Sequence, residues 1–319
     1  FPFGEGDPAA VFSVLGGVQA EVAAPVIAAL GLSGAVVAAA MAWGRGRGPR
    51  RVGLLAFAWA AAAVLLVVVP DARALVAVAY APVVLLGAPF GWPPGDYRAA
   101  VPWSVVNQFL CIAGGAAWTA AAFTYQRRTR HAGPAGTAAG WTRPAAAARW
   151  GRWATAVAAC VPLVYAATRL AWWVGLPLGL TEERLQLGQT EGAWAAGASL
   201  AAVAIAGAGL TLGLVQRWGE VVPRWVPGLG GKRVPPALAV VPATLIAVLV
   251  TNAGLTFWRR MLLGTGSYTL TGGNWAALLP ELLWPVWGAA LGAAALAYYL
   301  RRRTPEEPNT GRAAVTTDT

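Results

Sequence analysis

The chain has 319 residues, 57% of them hydrophobic and only 12% charged, with a mean hydropathy of +0.56. Soluble domains carry about 25% charged residues, so the composition points away from a soluble domain and towards a multi-pass membrane protein. The net charge of +11 implies no nucleic-acid partner, because the arginines flank apolar runs, where basic residues set orientation and meet anionic lipid headgroups.

Residues 1–20 contain no basic stretch and do not read as an intact signal peptide. Apolar runs then follow at about 21–43, 52–70, 103–126, 152–176, 193–216, 236–258 and 280–300. Each approaches the ~20 residues with which a helix crosses the hydrocarbon, and helices are expected because backbone groups in lipid must be satisfied within the segment. A shorter run, 74–90 (ALVAVAYAPVVLLGAPF), contains Pro82, Gly87 and Pro89.

Charge decides how that shorter run is read. Arg45, Arg47, Arg50 and Arg51 follow the first run, and Arg127, Arg128, Arg130, Arg143, Arg149 and Arg152 fill the linker 127–152. Arg217, Arg224, Lys232 and Arg233 follow the run 193–216, and Arg301, Arg302 and Arg303 close the last. Short basic loops stay cytoplasmic, which places all four clusters, the linker and the C-terminus on that side of the cell membrane. They share a side only if 74–90 does not cross, so it reads as a re-entrant or interfacial segment on the outer side. The alternative is a short extra helix that breaks the charge rule.

An internal repeat emerges next. PFG at 2–4 matches PLG at 177–179, AWG at 42–44 matches RWG at 217–219, and GGAAWTAAAFTYQRRTR at 114–130 lies opposite GAALGAAALAYYLRRRT at 288–304. The offsets are 174 or 175 residues, and each match falls at the same end of a helix. The expected fold is therefore all-α, a polytopic transmembrane helix bundle of two parallel four-helix repeats. The partner of 152–176 is missing and should precede FPFG. Residues 1–130 form membrane repeat 1, 131–151 a cytoplasmic linker, 152–303 membrane repeat 2, and 304–319 a polar, disordered cytoplasmic tail.

Arg169 stands inside an apolar run, about seven residues from its end and so roughly 10 Å deep. A charge at that depth is a functional-site hypothesis that requires a partner. Glu281, in LLPELLWPVW, is the first choice, with Glu21 and Glu191 behind it. A structural ion pair, or an arginine reaching the headgroups, explains Arg169 equally well. Asn107 joins this candidate intramembrane polar site, although amides such as Asn107, Gln108, Asn252 and Asn274 more often bond helix to helix. Many of the seventeen tryptophans fall at helix ends, as an interfacial aromatic belt. The only histidine, His131, lies in a polar loop, and Cys111 and Cys160 have no metal-ligand spacing. No cofactor is expected.

The phrases YAPVVLLGAPFGWP, WGEVVPRWVPGLGGKRVPPALAVVPATLIAVLVT and NWAALLPELLWPVWGAALGAAALAYYLRRR resemble a group of uncharacterised multi-pass integral membrane proteins of actinobacteria. The single lysine among 24 basic residues fits a high-GC genome. The resemblance covers most of the chain and implies a further apolar helix before the PFG, but no activity or site residue. Three functional readings follow: a non-catalytic or partner-binding membrane protein, with the bilayer and other membrane subunits as partners; a small-molecule or ion transporter with an outer vestibule; and a membrane enzyme acting on a lipid-linked substrate.

Overall fold

The computed structural model describes residues 10–14, 16–44, 48–91, 102–129, 140–228, 230–264 and 269–302. The FPFG turn, residues 131–139 of the linker 131–151 and the tail 304–319 lie outside the described residues. Ten helices occupy most of the remainder: α1 (Ala20–Trp43), α2 (Gly48–Ala63), α3 (Ala72–Gly87), α4 (Trp103–Thr129), α5 (Pro144–Trp173), α6 (Glu182–Thr190), α7 (Ala193–Leu212), α8 (Pro236–Leu262), α9 (Trp275–Leu282) and α10 (Trp284–Arg302). A π-helical turn, Val64–Val68, extends α2, and a 3₁₀ turn, Ala88–Phe90, extends α3. Among the described residues the only pairing of strand type is one isolated bridge between Val221 and Arg233.

Counting α2 with its π turn, α3 with its 3₁₀ turn, and α9 with α10 as single spans, eight helices are long and apolar enough to cross a membrane. The architecture is that of an all-helical, multi-pass membrane protein. Local chemistry sets its ends. Pro144 and Pro236 start α5 and α8, where a missing N–H costs nothing. Asp71 and Thr181 cap α3 and α6 by accepting the backbone N–H groups of Arg73 and Arg184.

Several expected boundaries move. The run 152–176 is a helix over Pro144–Trp173, because alanines 145–148 behind an N1 proline favour helix although they are not strongly apolar. The linker 131–151 shortens accordingly. The run 280–300 begins at Trp275 and is broken at Leu283 between Pro280 and Pro285. The segment 74–90 is a continuous helical stretch from Ala72 to Phe90, since the bend at Pro82 does not end it. The connection between α5 and α7 holds α6, which apolar periodicity does not show.

Contacts define two ends of the bundle. At one end Arg51 donates to the Thr129 hydroxyl, and Gly151 of α5 meets Ala297 of α10. There too Arg301 pairs with Glu220 at 3.2 Å, and Arg302 donates to the carbonyl of Val234. At the other end Asp71 N–H donates to Gln108 Oε1. Arg259 and Arg260, near the end of α8, donate to the carbonyls of Phe12 and Val11, ahead of α1. The described members of all four basic clusters lie at the first end. Because α2 finishes and α4 starts at the second end, α3 is a single helix between two points at the same end.

Glycines set the closest helix contacts. A methyl on Gly115 would come within 2.6 Å of Leu66, so α4 lies tight on α2. Gly254 and Gly288 do the same for α8 against α10, where added methyls would collide with Pro285 and Thr251. Small residues at such crossings bring backbones together where lipid provides no hydrophobic drive.

Candidate functional site

Arg169 sits four residues before the end of α5, about 6 Å inside it at 1.5 Å per residue. This is shallower than the sequence estimate, because the helix stops at Trp173. The residue is 8% exposed. Its Nη2 lies 3.1 Å from Glu281 Oε1 on α9. Its Nη1 donates to the Thr168 hydroxyl at 3.3 Å and to the carbonyl of Ala276 at 3.4 Å. Tyr165 and Trp172, one turn to either side on α5, each place a ring 4.5 Å from the guanidinium carbon, the geometry of a cation–π contact. Gly197 of α7 leaves room beside the arginine stem.

The bond to Ala276 has a covalent cause. In an unbroken helix the Ala276 carbonyl would accept the N–H of residue 280, which is proline and has none. Arg169 supplies the missing donor from another helix. Another carbonyl answered from a different helix lies at the end of α2. The Leu66 carbonyl would accept from residue 70, again a proline, and the π turn disturbs the ladder there as well. Asn252 of α8 donates its Nδ2 to that carbonyl at 2.8 Å. The next free donor, Asp71 N–H, goes to Gln108 instead. Asp71 is 2% exposed and accepts a forked pair of bonds from the Arg73 guanidinium.

Above Arg169, towards the nearer end, the apolar cluster Trp172, Leu180, Leu185 and Ala276 forms a plug. Trp194 packs on it and tilts against Trp172, with centroids 4.9 Å apart. Beyond the plug lies an open pocket of about 600 Å³ lined by Thr181, Glu183, Arg184, Thr269, Thr271 and Asn274, among others. Asn274 shapes its wall, accepting from Thr271 N–H and donating to the Thr269 carbonyl.

Of the five sequence candidates, the structure brings Arg169 and Glu281 together and leaves the other three apart. Glu21, in the first turn of α1, and Glu191, at the end of α6, are exposed. An acid next to a turn remains solvated unless a partner helix covers it, and among the described residues none does. Asn107 is half-buried, whereas its neighbour Gln108 faces the core and holds Asp71. The Asp71–Arg73–Gln108 group was not singled out, because an acid between two runs reads as a loop residue. The signal lay in the spacing: only Val69, Pro70 and Asp71 separate the π turn from α3, too few to lift the acid out of the bundle.

No family model matches the chain, and neither the curated proteins nor the solved structures contain a match to it.

Proposed function

We propose that the chain is a two-repeat carrier of the cell membrane, related to the actinobacterial group its sequence resembles, and that it holds a small polar or charged solute at the Arg169–Glu281 pair. One observation carries this reading: a buried ion pair stands at a proline-broken helix, beneath an apolar plug and an open polar pocket. Discontinuous helices of this kind line the solute sites of many transporters. Opening the plug would expose a guanidinium and a carboxylate to the pocket, and an entering solute could exchange with either partner.

Two parallel repeats are supported by packing register. Gly114 and Gly115 press on Leu65 and Leu66, and Gly288, 174 residues beyond Gly114, presses on Thr251. Thus α2 with α4 resembles α8 with α10. On this scheme Asn107 corresponds to Glu281. The basic end is the cytoplasmic one, and α3, flanked by the ends of α2 and α4 that lie at the opposite end, stays with the outer side. Cysteines placed at Gly136, Gln186 and Trp92 test this arrangement. The first should react with an impermeant maleimide only from the cytoplasm, and the other two only from outside.

A second reading, a partner subunit without its own chemistry, is favoured by α1, which packs on the bundle with little of its surface buried. Thermal unfolding of the purified protein across a panel of amino acids, organic acids and organic cations separates the two. The carrier reading expects at least one solute to raise Tm, and the Glu281→Gln variant to lose that response. If no solute raises Tm for the folded wild-type protein, the partner reading is preferred.

A further inference from the structure

α1 and the α2–α4 pair enclose a wedge. At the basic end they are closed together by Met41, Ala58, Ala122 and Tyr125. Towards the other end they part, leaving an apolar groove of about 860 Å³ lined by Val22, Leu30, Ala61, Val64 and Val68, among others. That volume lies within the ~300–1,000 Å³ of small-molecule sites. Along α1 the groove runs from Val22 to Ala38, about 24 Å at 1.5 Å per residue. Val14 forms its rim.

The rim carries positive charge. Just before Val14, Phe12 gives its carbonyl to Arg259 at 2.5 Å, and Val11 gives its carbonyl to Arg260 at 3.0 Å. The Arg260 guanidinium also lies 4.7 Å over the Phe12 ring. Arg259 stands seven residues beyond Asn252, whose amide marks the level of Leu66. It is therefore about 10 Å further towards the open end, above the last groove residues of α2, Val68 and Val69. The nearby carboxylate of Asp71 is already engaged by Arg73.

We infer that the wedge is a lipid site, taking an acyl chain of an anionic phospholipid whose phosphate rests against Arg259 at the rim. The shape selects the occupant. A transmembrane helix about 10–12 Å across needs clearance along its whole length, and this wedge shuts at Met41 and Ala58. An acyl chain entering from one leaflet needs only the open part. A guanidinium has five N–H groups, so one that holds a carbonyl retains donors suited to phosphate oxygens. The inference does not depend on the role of Arg169.

The test uses the full chain in lipid nanodiscs with phosphatidylglycerol bearing a diazirine in one acyl chain, and the matching phosphatidylcholine as control. After irradiation, adducts should concentrate in the peptides covering 22–38 and 60–69, with phosphatidylglycerol preferred. Arg259→Gln should reduce that preference by about fivefold, the scale of one basic residue at an anionic surface, and Arg259→Lys should retain it. Leu30→Trp, at an exposed α1 position lining the groove, should remove the adducts by filling the wedge. Three results would overturn the inference: adducts equally dense on the outward faces of α7 and α10; labelling indifferent to headgroup charge; or a Val26→Cys variant that cross-links to a helix of a second copy.

Discussion

Of the carbonyls in this bundle that lose a helical donor to a proline, those of Leu66 and Ala276 accept from a side chain on another helix, and the donors differ. At Leu66 a neutral amide from Asn252 is sufficient, and among the described residues the Asn252 Oδ1 then has no partner of its own. At Ala276 the donor is a full charge, and the charge requires a carboxylate, a hydroxyl and two aromatic rings around it. If a carbonyl were all that needed pairing, the Asn252 solution would serve both places at lower desolvation cost. The difference is that Arg169 carries a set of contacts beyond those a carbonyl needs, and the proposed solute site rests on that excess.

The comparison can be broken most severely at Arg169. Arg169→Leu strands Glu281 as a buried charge without its partner, a loss of about 3–5 kcal/mol, read as a fall in recovered folded protein and in Tm. Arg169→Leu with Glu281→Leu should be tolerated better than either change alone. Additive losses in a double-mutant cycle would mean that the pair does not couple.

Next in size are the close helix crossings. Gly288→Ala drives a methyl into Thr251 and to within 2.7 Å of the Ala247 carbonyl, so overpacking should cost about 1–3 kcal/mol. Gly115→Ala, which meets the Leu66 side chain at 2.6 Å and its backbone nitrogen at 3.1 Å rather than a carbonyl at 2.7 Å, should cost less. Equal losses in thermal unfolding would remove this distinction between the halves.

Asn252→Leu sharpens the comparison further. It leaves the Leu66 carbonyl unpaired, a cost of about 1–3 kcal/mol for a buried acceptor. In a Pro70→Ala background the restored N–H can serve that carbonyl, and the same substitution should lose noticeably less. Glu191→Gln sets the baseline: its side chain is exposed, and a change in stability beyond about 0.5 kcal/mol would contradict its placement.

Individual residues show how far the sequence was legible. Arg169 and Glu281 each stood out as a charge within an apolar run, because such a charge in lipid needs a reason. Glu21 and Glu191 stood behind Glu281 as candidate partners, since distance along the chain does not show which helix ends meet. The short spacing before α3 marks Asp71 as held in the bundle, but its contact with Gln108 depends on α2 and α4 packing in one register. The helical character of 74–90 was obscured by Pro82, whose effect depends on the neighbours available to satisfy the freed backbone.

Composition and run length by themselves determined the solvent and the class of structure. A chain this apolar, with basic residues at the ends of its runs, must be helical wherever it lies in lipid, because each helix satisfies its own backbone. Tertiary structure alone decided which prolines left a carbonyl exposed, which side chain answered it, and where α1 parted from its neighbours. Those outcomes depend on the register of one helix against another. Register is set by where a glycine allows close approach and where a larger side chain holds the helices apart, and no single run of sequence contains both sides of that contact.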